Sequence, residues 1–430
     1  MPAPTREPIA FRPYLSLLLS LALAACGGST SPGSGPDPRF NIPGPFGFPV
    51  EQQIATSMAG VTSTHLVDVN GDGRADLVLN YLAPGTNQVA IALAMPNGTF
   101  ATPTVSNETQ IEPTETWPNY VLRVGDVTGD GRTDLVWQSL TLPSRFFVAV
   151  PDASGALTFL PEASFSLGLG SGYQMVLADV NGDGAKDLVW NITIEGANVS
   201  WVALSNGDGT FQVSSATPLS DTQGFGWAPY SLFVVDNNHD GRDDLMWNAR
   251  TSVNRTYLAL GQSDGTFAFT PGFDLPYSLD WTNSTLRVGR FTGSGDDVIW
   301  VKSDSSGTMV FRAQAAAGGG FVTSLAPQTI DTSLVNPNQL RILVGDVDGD
   351  GKDDVIWNSV SGRRTTLVVT RGTDQPMFDL SLPIQAQPDE DDWVRAETLV
   401  GDVNGDHRAD VVWFFGGDSP RVYTAIAKSR

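Results

Sequence analysis

The residues with the clearest chemical potential lie in six short acidic loops that recur along the chain. They span Asp68–Asp76, Asp126–Asp134, Asp179–Asp187, Asp236–Asp244, Asp346–Asp354 and Asp402–Asp410. Numbered 1 to 9, every copy has side-chain oxygens at positions 1, 3, 5 and 9, and five of the six have glycine at position 6. Alternate oxygens on a tight loop converge on one point, and glycine permits the positive φ that such a loop needs. An oxygen-only site, with a backbone carbonyl near position 7 as a further ligand, suits a hard cation such as Ca²⁺.

The acidic loops allow two other interpretations. Asp, Asn and Gly also form good turns without any ion. That alone does not explain carboxylates at positions 1, 5 and 9, which repel each other unless a cation lies between them. An EF-hand needs a bidentate Glu at position 12, where the copies carry Leu79 or a tryptophan. The pattern therefore predicts calcium sites that are not EF-hands.

Two copies of the loop depart from the pattern. In the last complete copy His407 replaces the glycine of position 6, and a histidine is strained at positive φ, so this site is expected to be weaker. A seventh copy, Arg290–Asp297, is one residue short and has Arg290 at position 1 and Ser294 at position 5. We expect no ion in this copy, and we expect Arg290 to pair with Asp296 or Asp297.

The spacing of the loops predicts the fold. The seven copies begin at residues 68, 126, 179, 236, 290, 346 and 402, a period typical of propellers and repeat arrays. Each unit contains four runs rich in β-branched and aromatic residues, as four short antiparallel strands require. The last unit has room for only three, and Pro45–Glu51 before the first copy resembles the missing strand. The sequence predicts an all-β, seven-bladed β-propeller over residues 46–430, closed by its N-terminal strand.

The loop resembles the FG-GAP repeat, also called the VCBS repeat, of integrin α-chain propellers and many bacterial secreted proteins. The resemblance covers about residues 46–430. It implies that each loop joins the first two strands of a blade and that about six structural Ca²⁺ ions bind there. The implied ligands are Asp68, Asn70, Asp72, Asp76; Asp126, Thr128, Asp130, Asp134; Asp179, Asn181, Asp183, Asp187; Asp236, Asn238, Asp240, Asp244; Asp346, Asp348, Asp350, Asp354; and Asp402, Asn404, Asp406, Asp410.

The N-terminal residues predict an export signal. Arg6 and Arg12 precede the apolar run Leu15–Ala25. Cys26, the single cysteine of the chain, follows this run directly. The run Leu23–Gly27 resembles the lipobox of bacterial lipoproteins, which implies removal of residues 1–25 and lipidation of Cys26. The alternative is an ordinary secretory peptide with a chance cysteine. Residues 26–45 are rich in Gly, Ser and Pro and are expected to form a flexible tether. By resemblance, Gly27 indicates sorting to the outer membrane or cell surface of a Gram-negative bacterium.

The net charge and the spacing of the tryptophans indicate which kinds of ligand the protein could bind. The chain has 430 residues and a net charge of −22, which repels nucleic acids. We expect a monomer that contacts the membrane only through its lipid. Six tryptophans at or equivalent to position 12 are expected to pack between blades. Four others lie nine residues before position 1, where they either pack at a blade corner or line a ligand-binding rim: Trp117, Trp227, Trp281 and Trp393.

Signals of catalysis are weak. His65 lies in a strand, His239 and His407 lie inside acidic loops, and none has a recognisable nucleophile or acid partner. No catalytic residue and no organic cofactor are predicted. The leading hypothesis is a lipid-anchored, calcium-binding extracytoplasmic binding or adhesion module with an unknown protein or glycan ligand. A lectin with sites between blades or at the rim is the first alternative. A polysaccharide lyase or other glycan-active enzyme is the second, and it requires Lys, Arg, Tyr or His side chains that converge in one rim pocket.

Overall fold

The computed structural model describes residues 44–47, 49–55, 60–108, 116–142, 145–165, 173–194, 197–214, 217–218, 230–250, 254–270, 272–274, 281–304, 307–323, 327–330, 339–361, 364–373, 384–386, 393–417 and 419–429. The predicted signal segment, Cys26 and Trp227 lie outside these residues. Residues 42–430 group into one compact unit. Within the described part of the chain no helix is long and apolar enough to span a membrane.

The described residues form seven antiparallel sheets, numbered here as blades I to VII in chain order. Strand β1 (Val50–Gln53) precedes blade I and belongs to blade VII. Blade I contains β2 (Ser63–Val67), β3 (Asp76–Ala83), β4 (Thr86–Ala92) and β5 (Thr104–Glu108). Blade II contains β6 (Tyr120–Gly125), β7 (Asp134–Ser139), β8 (Arg145–Pro151), β9 (Leu157–Phe159) and β10 (Ala163–Ser164). Blade III contains β11 (Gln174–Ala178), β12 (Asp187–Ile194), β13 (Ala197–Ser205), β14 (Phe211–Val213) and β15 (Thr217–Pro218).

The remaining blades repeat this arrangement. Blade IV contains β16 (Tyr230–Val235), β17 (Asp244–Arg250), β18 (Asn254–Gly261), β19 (Phe267–Phe269) and β20 (Phe273–Asp274). Blade V contains β21 (Ser284–Gly289), β22 (Asp297–Asp304), β23 (Gly307–Ala315), β24 (Phe321–Thr323) and β25 (Gln328–Ile330). Blade VI contains β26 (Leu340–Gly345), β27 (Asp354–Ser361), β28 (Arg364–Thr370) and β29 (Ile384–Ala386), and blade VII contains β30 (Glu397–Gly401), β31 (Asp410–Phe415) and β32 (Arg421–Ala425). In blades II to V two short segments share the outermost position and pair with the same third strand.

The hydrophobic core lies between the blades. Each of seven apolar clusters draws its residues from two neighbouring blades, and together the clusters cover all seven seams of the ring. The second strand of a blade is covered on both faces, so that all six residues of β7 are buried. This explains why these strands read as continuous apolar runs rather than as alternating ones. The predicted all-β, seven-bladed propeller is confirmed.

The N-terminal strand closes the ring. Strand β1 pairs antiparallel with β32, with Val50 opposite Thr424, and Phe46 forms an isolated bridge with Ala427. The closing strand was therefore predicted in the right place, although the regular part begins at Val50 rather than at Pro45. Strand β1 thereby supplies the fourth, outermost strand of blade VII and covers the edge that β32 would otherwise leave unpaired.

A second ring of contacts links consecutive acidic loops. In every loop the backbone N–H just before the final aspartate donates to the carbonyl of the first loop residue in the preceding blade, at 2.6–3.2 Å. The donors are Ala75, Thr133, Lys186, Asp243, Asp296, Asp353 and Ala409. The bond from Ala75 to Asp402 joins blade I to blade VII, so the chain of loops is closed. The loops therefore hold neighbouring blades in register.

Candidate metal centres and cavities

Each acidic loop joins the first strand of its blade to the second, as the resemblance implies. In blade I the loop leaves β2 after Val67, and position 9, Asp76, is the first residue of β3. The backbone takes positive φ at positions 4 and 6, with 75° at Gly71 and 81° at Gly73. Two histidines adopt the same conformation without being glycine: His239 at position 4 (58°) and His407 at position 6 (62°). The left-handed turn expected at His407 is confirmed, and position 4 proves to need it too.

The carboxylate at position 1 is held inside its own loop. In blade I, Asp68 Oδ1 accepts the N–H of Gly71 at 2.7 Å, and Oδ2 accepts that of Gly73 at 2.7 Å. In all six acidic loops the amide of position 6 donates to position 1, at 2.6–3.3 Å. The loop backbone thus fixes where the first carboxylate points.

The aspartate at position 9 is completely buried and bridges two parts of its blade. Asp76 Oδ2 accepts the N–H of Val69 at 3.1 Å, and Oδ1 accepts that of Ala94, beyond β4, at 2.7 Å. The equivalent aspartates make the matching bonds to position 2 in all six loops. The sequence identified these residues as ligands but gave no sign of this second role.

Burial shifts the titration of these aspartates. Desolvation, with a smaller contribution from neighbouring loop carboxylates, raises their pKa against the opposing effect of the amide donors. The pKa is raised to about 6 for Asp134 and to about 7 for Asp76, Asp187, Asp244, Asp354 and Asp410. A cation at the loop centre favours the ionised form of such a group.

Position 5 makes an ion pair that the sequence analysis missed. In four loops the arginine at position 7 reaches back to it, in the pairs Arg74–Asp72, Arg132–Asp130, Arg242–Asp240 and Arg408–Asp406. The amide of Asn70 also donates to Asp72 Oδ2, at 2.8 Å. The arginine two residues after the aspartate is the sequence signal for this pair.

Blade VI brings three carboxylates together. Oxygens of Asp346, Asp348 and Asp354 lie within 4.8 Å of one another, and this is the one such group of acidic, His or Cys residues among those the structure describes. Arg371 Nε lies 2.9 Å from Asp348 Oδ2. The donor set contains only hard oxygens, which fits Ca²⁺ and does not fit a soft metal. In the other five loops position 3 is Asn or Thr, which offers a neutral oxygen instead.

The short loop of blade V lacks the acidic residues at positions 1 and 5 and contains an arginine–aspartate ion pair instead. Arg290 Nε lies 3.5 Å from Asp296 Oδ1, as expected from the sequence. Asp297 takes the structural part of position 9: its Oδ2 accepts the N–H of Thr292 and its Oδ1 that of Ala315, both at 2.8 Å. The buried bridge is therefore retained where the acidic pattern is lost.

The rim hypothesis for the tryptophans is wrong at the three positions that the structure describes. Trp117, Trp281 and Trp393 have no exposed surface. The ring of Trp117 lies 4.8 Å from that of Phe147, and the ring of Trp281 lies 4.8 Å from that of Phe311. No face is left for a sugar, because the apolar clusters between blades extend to these corners. The position-12 tryptophans are also fully buried, as predicted: Trp137, Trp190, Trp247, Trp300, Trp357 and Trp413.

Two cavities lie where blades II and III meet, and one of them extends to blade IV. The sequence gave no signal for either, because their walls come from different repeats. One, of about 350 Å³, is lined by Phe146, Phe165 and Phe211 with Glu162, Asp208 and Thr210. The other, of about 460 Å³, lies at the ends of the inner strands away from the acidic loops. It is lined by Arg123, Gln138, Leu140, Tyr173, Gln174, Met175, Val176 and Leu232.

Comparisons with known proteins agree with the fold. The family model for FG-GAP-like repeats matches residues 68–137 and 126–190. Among solved structures, an Agrocybe aegerita lectin specific for non-reducing terminal N-acetylglucosamine is 20% identical with a TM-score of 0.55, over 76% of this chain and 80% of the lectin. BBS1N, solved in complex with ARL6DN, is 12% identical with a TM-score of 0.50, over 90% of this chain and 98% of that one.

A rhamnogalacturonan lyase from Bacillus licheniformis is 13% identical with a TM-score of 0.48, over 88% of this chain and 76% of the lyase. No curated protein matches the sequence. At such identities the likenesses concern the fold alone. The chain is therefore a seven-bladed β-propeller that carries FG-GAP-like repeats over residues 68–190.

Proposed function

We propose that this protein is a calcium-stabilised, lipid-anchored binding or adhesion module outside the cytoplasm. The observation that carries the calcium part is the convergence of Asp346, Asp348 and Asp354 oxygens within 4.8 Å. Arg371 offsets the charge of Asp348, and the repulsion that remains among the three carboxylates is relieved by a bound cation or by protons. The same loop frame recurs in five further blades, with a neutral oxygen in place of one carboxylate.

Calcium in these loops acts on the fold rather than on a reaction. An ion bound by positions 1 and 9 joins the end of a blade's first strand to the start of its second. The carbonyl of position 1 also accepts the bond from the next blade, so the ion stiffens both contacts. With a Kd near 10⁻⁴–10⁻³ M, each site adds roughly 0.5–1.5 kcal/mol at about 1 mM calcium. Six such sites are a large part of a typical folding free energy.

Calorimetric titration of the metal-free chain with CaCl₂ tests the calcium sites. We expect about six ions, in agreement with the number of complete loops, and a melting temperature that falls on addition of EGTA. Asp348→Ala should lower the stoichiometry by one. Arg290→Ala is the matched control, because the blade V loop lacks the acidic pattern and should bind no ion. A melting temperature indifferent to EGTA contradicts the proposal.

Membrane attachment is tested separately. With Cys26 as the acylated residue, the chain expressed in a Gram-negative host should fractionate with membranes and incorporate labelled palmitate. Cys26→Ser should lose the label and enter the soluble fraction. Equal fractionation of both forms contradicts the lipid anchor and leaves the calcium proposal untouched.

A glycan is the second candidate for the ligand, and one cavity favours it. The partly buried rings of Phe165 and Phe211 line this cavity above the buried Phe146 and offer apolar contact to a sugar. Glu162 and Asp208 offer acceptors for its hydroxyl groups. A glycan array should show saturable binding that Phe165→Leu weakens. Phe159→Leu is the control, because this partly buried ring of the same blade stacks on Trp137 outside the cavity. Absence of any glycan signal favours a protein ligand.

Binding is better supported than catalysis. The lyase alternative requires basic and phenolic groups in one pocket, and Arg123 and Tyr173 do line the same cavity. The hydroxyl of Tyr173, however, donates to the carbonyl of Ser139 at 2.9 Å, and burial raises its pKa. A general base needs a pKa near the working pH, so this phenol is poorly suited to remove a proton.

A further inference from the structure

The larger cavity between blades II and III contains a cation that has no carboxylate partner. Arg123 lies in β6, half buried, and makes no ion pair with any carboxylate of the described residues. Its Nε is enclosed and has no hydrogen-bond partner. The chain has 47 acidic residues against 25 Lys and Arg, and nine arginines of the described residues form an ion pair with a carboxylate. An enclosed guanidinium of this kind attracts an anion from solution.

The same strand position in blade V shows what a structural arginine does there. Arg287, like Arg123, stands three residues before position 1 of its loop. Its Nε donates to the carbonyl of Ile342 at 2.7 Å, and Nη1 donates to that of Leu286 at 2.8 Å. Backbone carbonyls therefore accept hydrogen bonds from Arg287, whereas the Nε of Arg123 has no acceptor in the protein and is available to a ligand.

A second donor lines the cavity. Gln138 is 1% exposed, and its Nε2 has no hydrogen-bond partner. Blades I, IV and VI carry an asparagine at this position whose amide donates across the hairpin, as Asn80 does to Asn87 Oδ1 at 2.6 Å. In blade III the equivalent Asn191, like Gln138, has a buried amide without a partner. In blade II the glutamine side chain is one methylene longer than asparagine, and its Nε2 donor has no partner. A buried donor without a partner costs folding free energy, and a ligand acceptor would remove that cost.

The rest of the wall is rigid and largely apolar. Gln174 is fixed by bonds to the Tyr230 carbonyl and the Leu232 amide, at 2.9 and 3.2 Å. Leu140, Met175 and Val176 provide aliphatic surface. A volume of about 460 Å³ is within the range of small-molecule sites.

We propose that this cavity binds a small organic carboxylate, with the charge on Arg123, a further hydrogen bond from Gln138 Nε2 and the body of the ligand against the aliphatic wall. A carboxylate has two oxygens and can accept from both donors at once, and charge-assisted bonds of this kind are the strong ones. The site lies away from the acidic loops, so its ligand differs from the calcium proposed there.

Calorimetry on the full chain in calcium tests the site with three probes: cyclohexanecarboxylate, cyclohexylmethanol as its uncharged counterpart, and sulfate. We expect saturable binding of the carboxylate at one site, and at least about tenfold weaker binding of the other two. Arg123→Gln should weaken carboxylate binding about tenfold or more. Arg287→Gln, the matched control, should leave it unchanged. Gln138→Met keeps the volume and should weaken binding several-fold without lowering the melting temperature, because the lost amide had no partner.

Several outcomes overturn the proposal. Equal affinity for cyclohexylmethanol shows an apolar pocket only, and equal affinity for sulfate shows an unselective anion site. Carboxylate binding that survives Arg123→Gln, or none up to about 20 mM, shows that the guanidinium does not recruit this class of ligand. If Arg123→Gln fails to fold, the Gln138→Met variant provides the test. Unchanged carboxylate affinity in that variant would show that Gln138 Nε2 does not bind the ligand, and would contradict the proposed site.

Discussion

At the scale of single residues, position 9 of the acidic loops combines two demands. Its carboxylate must be buried to bridge the loop and the third strand, and it must be ionised to hold a cation. Burial opposes ionisation, and the pKa of Asp76 is accordingly raised to about 7. Calcium and protons therefore compete for the same oxygens. Asp297 in blade V keeps the bridge without the acidic pattern, which shows that the two roles are separable.

The raised pKa values predict how pH acts on the metal-free protein. Between the unfolded pKa of about 3.9 and the folded value of about 7, the folded state binds more protons than the unfolded state, so stability falls as pH rises through this window. In EGTA the melting temperature should be higher near pH 5 than near pH 8. In calcium the order should weaken or reverse, because the ion replaces the protons. Melting curves at both pH values check this, and parallel profiles with and without calcium contradict it.

Backbone conformation predicts a second residue-scale effect. Gly131 has a φ of 83°, and an added Cβ would meet no atom within 4 Å. Gly131→Ala should therefore destabilise through the left-handed backbone alone, by about 1 kcal/mol. Gly318 is equally open but lies outside the positive-φ region, so Gly318→Ala should be neutral or slightly stabilising. Urea unfolding of both variants measures the difference, and equal midpoints would count against the backbone argument.

At the scale of elements, the seam between blades VII and I depends on one side chain of the closing strand. Gln52 Nε2 donates to the carbonyl of Phe100 at 2.5 Å, and the N–H of Phe100 donates back to Gln52 Oε1 at 2.8 Å. This reciprocal pair joins β1 to the outer part of blade I, in addition to the ladder between β1 and β32. The last blade is thereby fixed to the first at its edge as well as through its core.

Removal of that side chain should loosen the ring at its seam. Gln52→Ala loses both bonds and leaves the backbone groups of Phe100 less satisfied, which should cost about 1–3 kcal/mol. Gln53→Ala is the matched control, because Gln53 is exposed and its side chain bonds only to Glu51 at 3.4 Å. Thermal unfolding of the two variants gives the comparison. Equal destabilisation would mean that the apolar contacts and the Ala75–Asp402 backbone bond hold the seam without this side chain.

Elements with a strong repeat could be predicted from the sequence, whereas several specific contacts between repeats could not. The period of the acidic loops fixed the number of blades, and the turn between β2 and β3 was visible in Asp68–Asp76. The burial of Trp117 depended on how two blades pack, which a single repeat does not encode. The cavity of Arg123 and Gln138 was invisible for the same reason, because its walls come from blades II, III and IV.

At the scale of the whole molecule, charge and closure oppose each other. The chain carries a net charge of −22, and much of it lies in loops that hydrogen-bond to one another around the ring. Closure brings these loops together, so their mutual repulsion is a cost of folding that bound cations or added salt reduce. The ion pairs of position 7 arginines, such as Arg74 with Asp72, offset part of it.

This balance predicts opposite salt responses for the two forms. In EGTA, raising the ionic strength from about 0.05 M to 0.5 M shortens the screening length from roughly 14 to 4 Å and should raise the melting temperature. In calcium the repulsion is already neutralised, so the same salt should have little effect or lower the melting temperature by weakening ion binding. Scans in NaCl and in choline chloride check this, since choline is too large to enter the loops and acts by screening alone. Stabilisation by NaCl but not by choline chloride would indicate that Na⁺ occupies the sites, and equal responses with and without calcium would show that loop repulsion does not limit the stability of the ring.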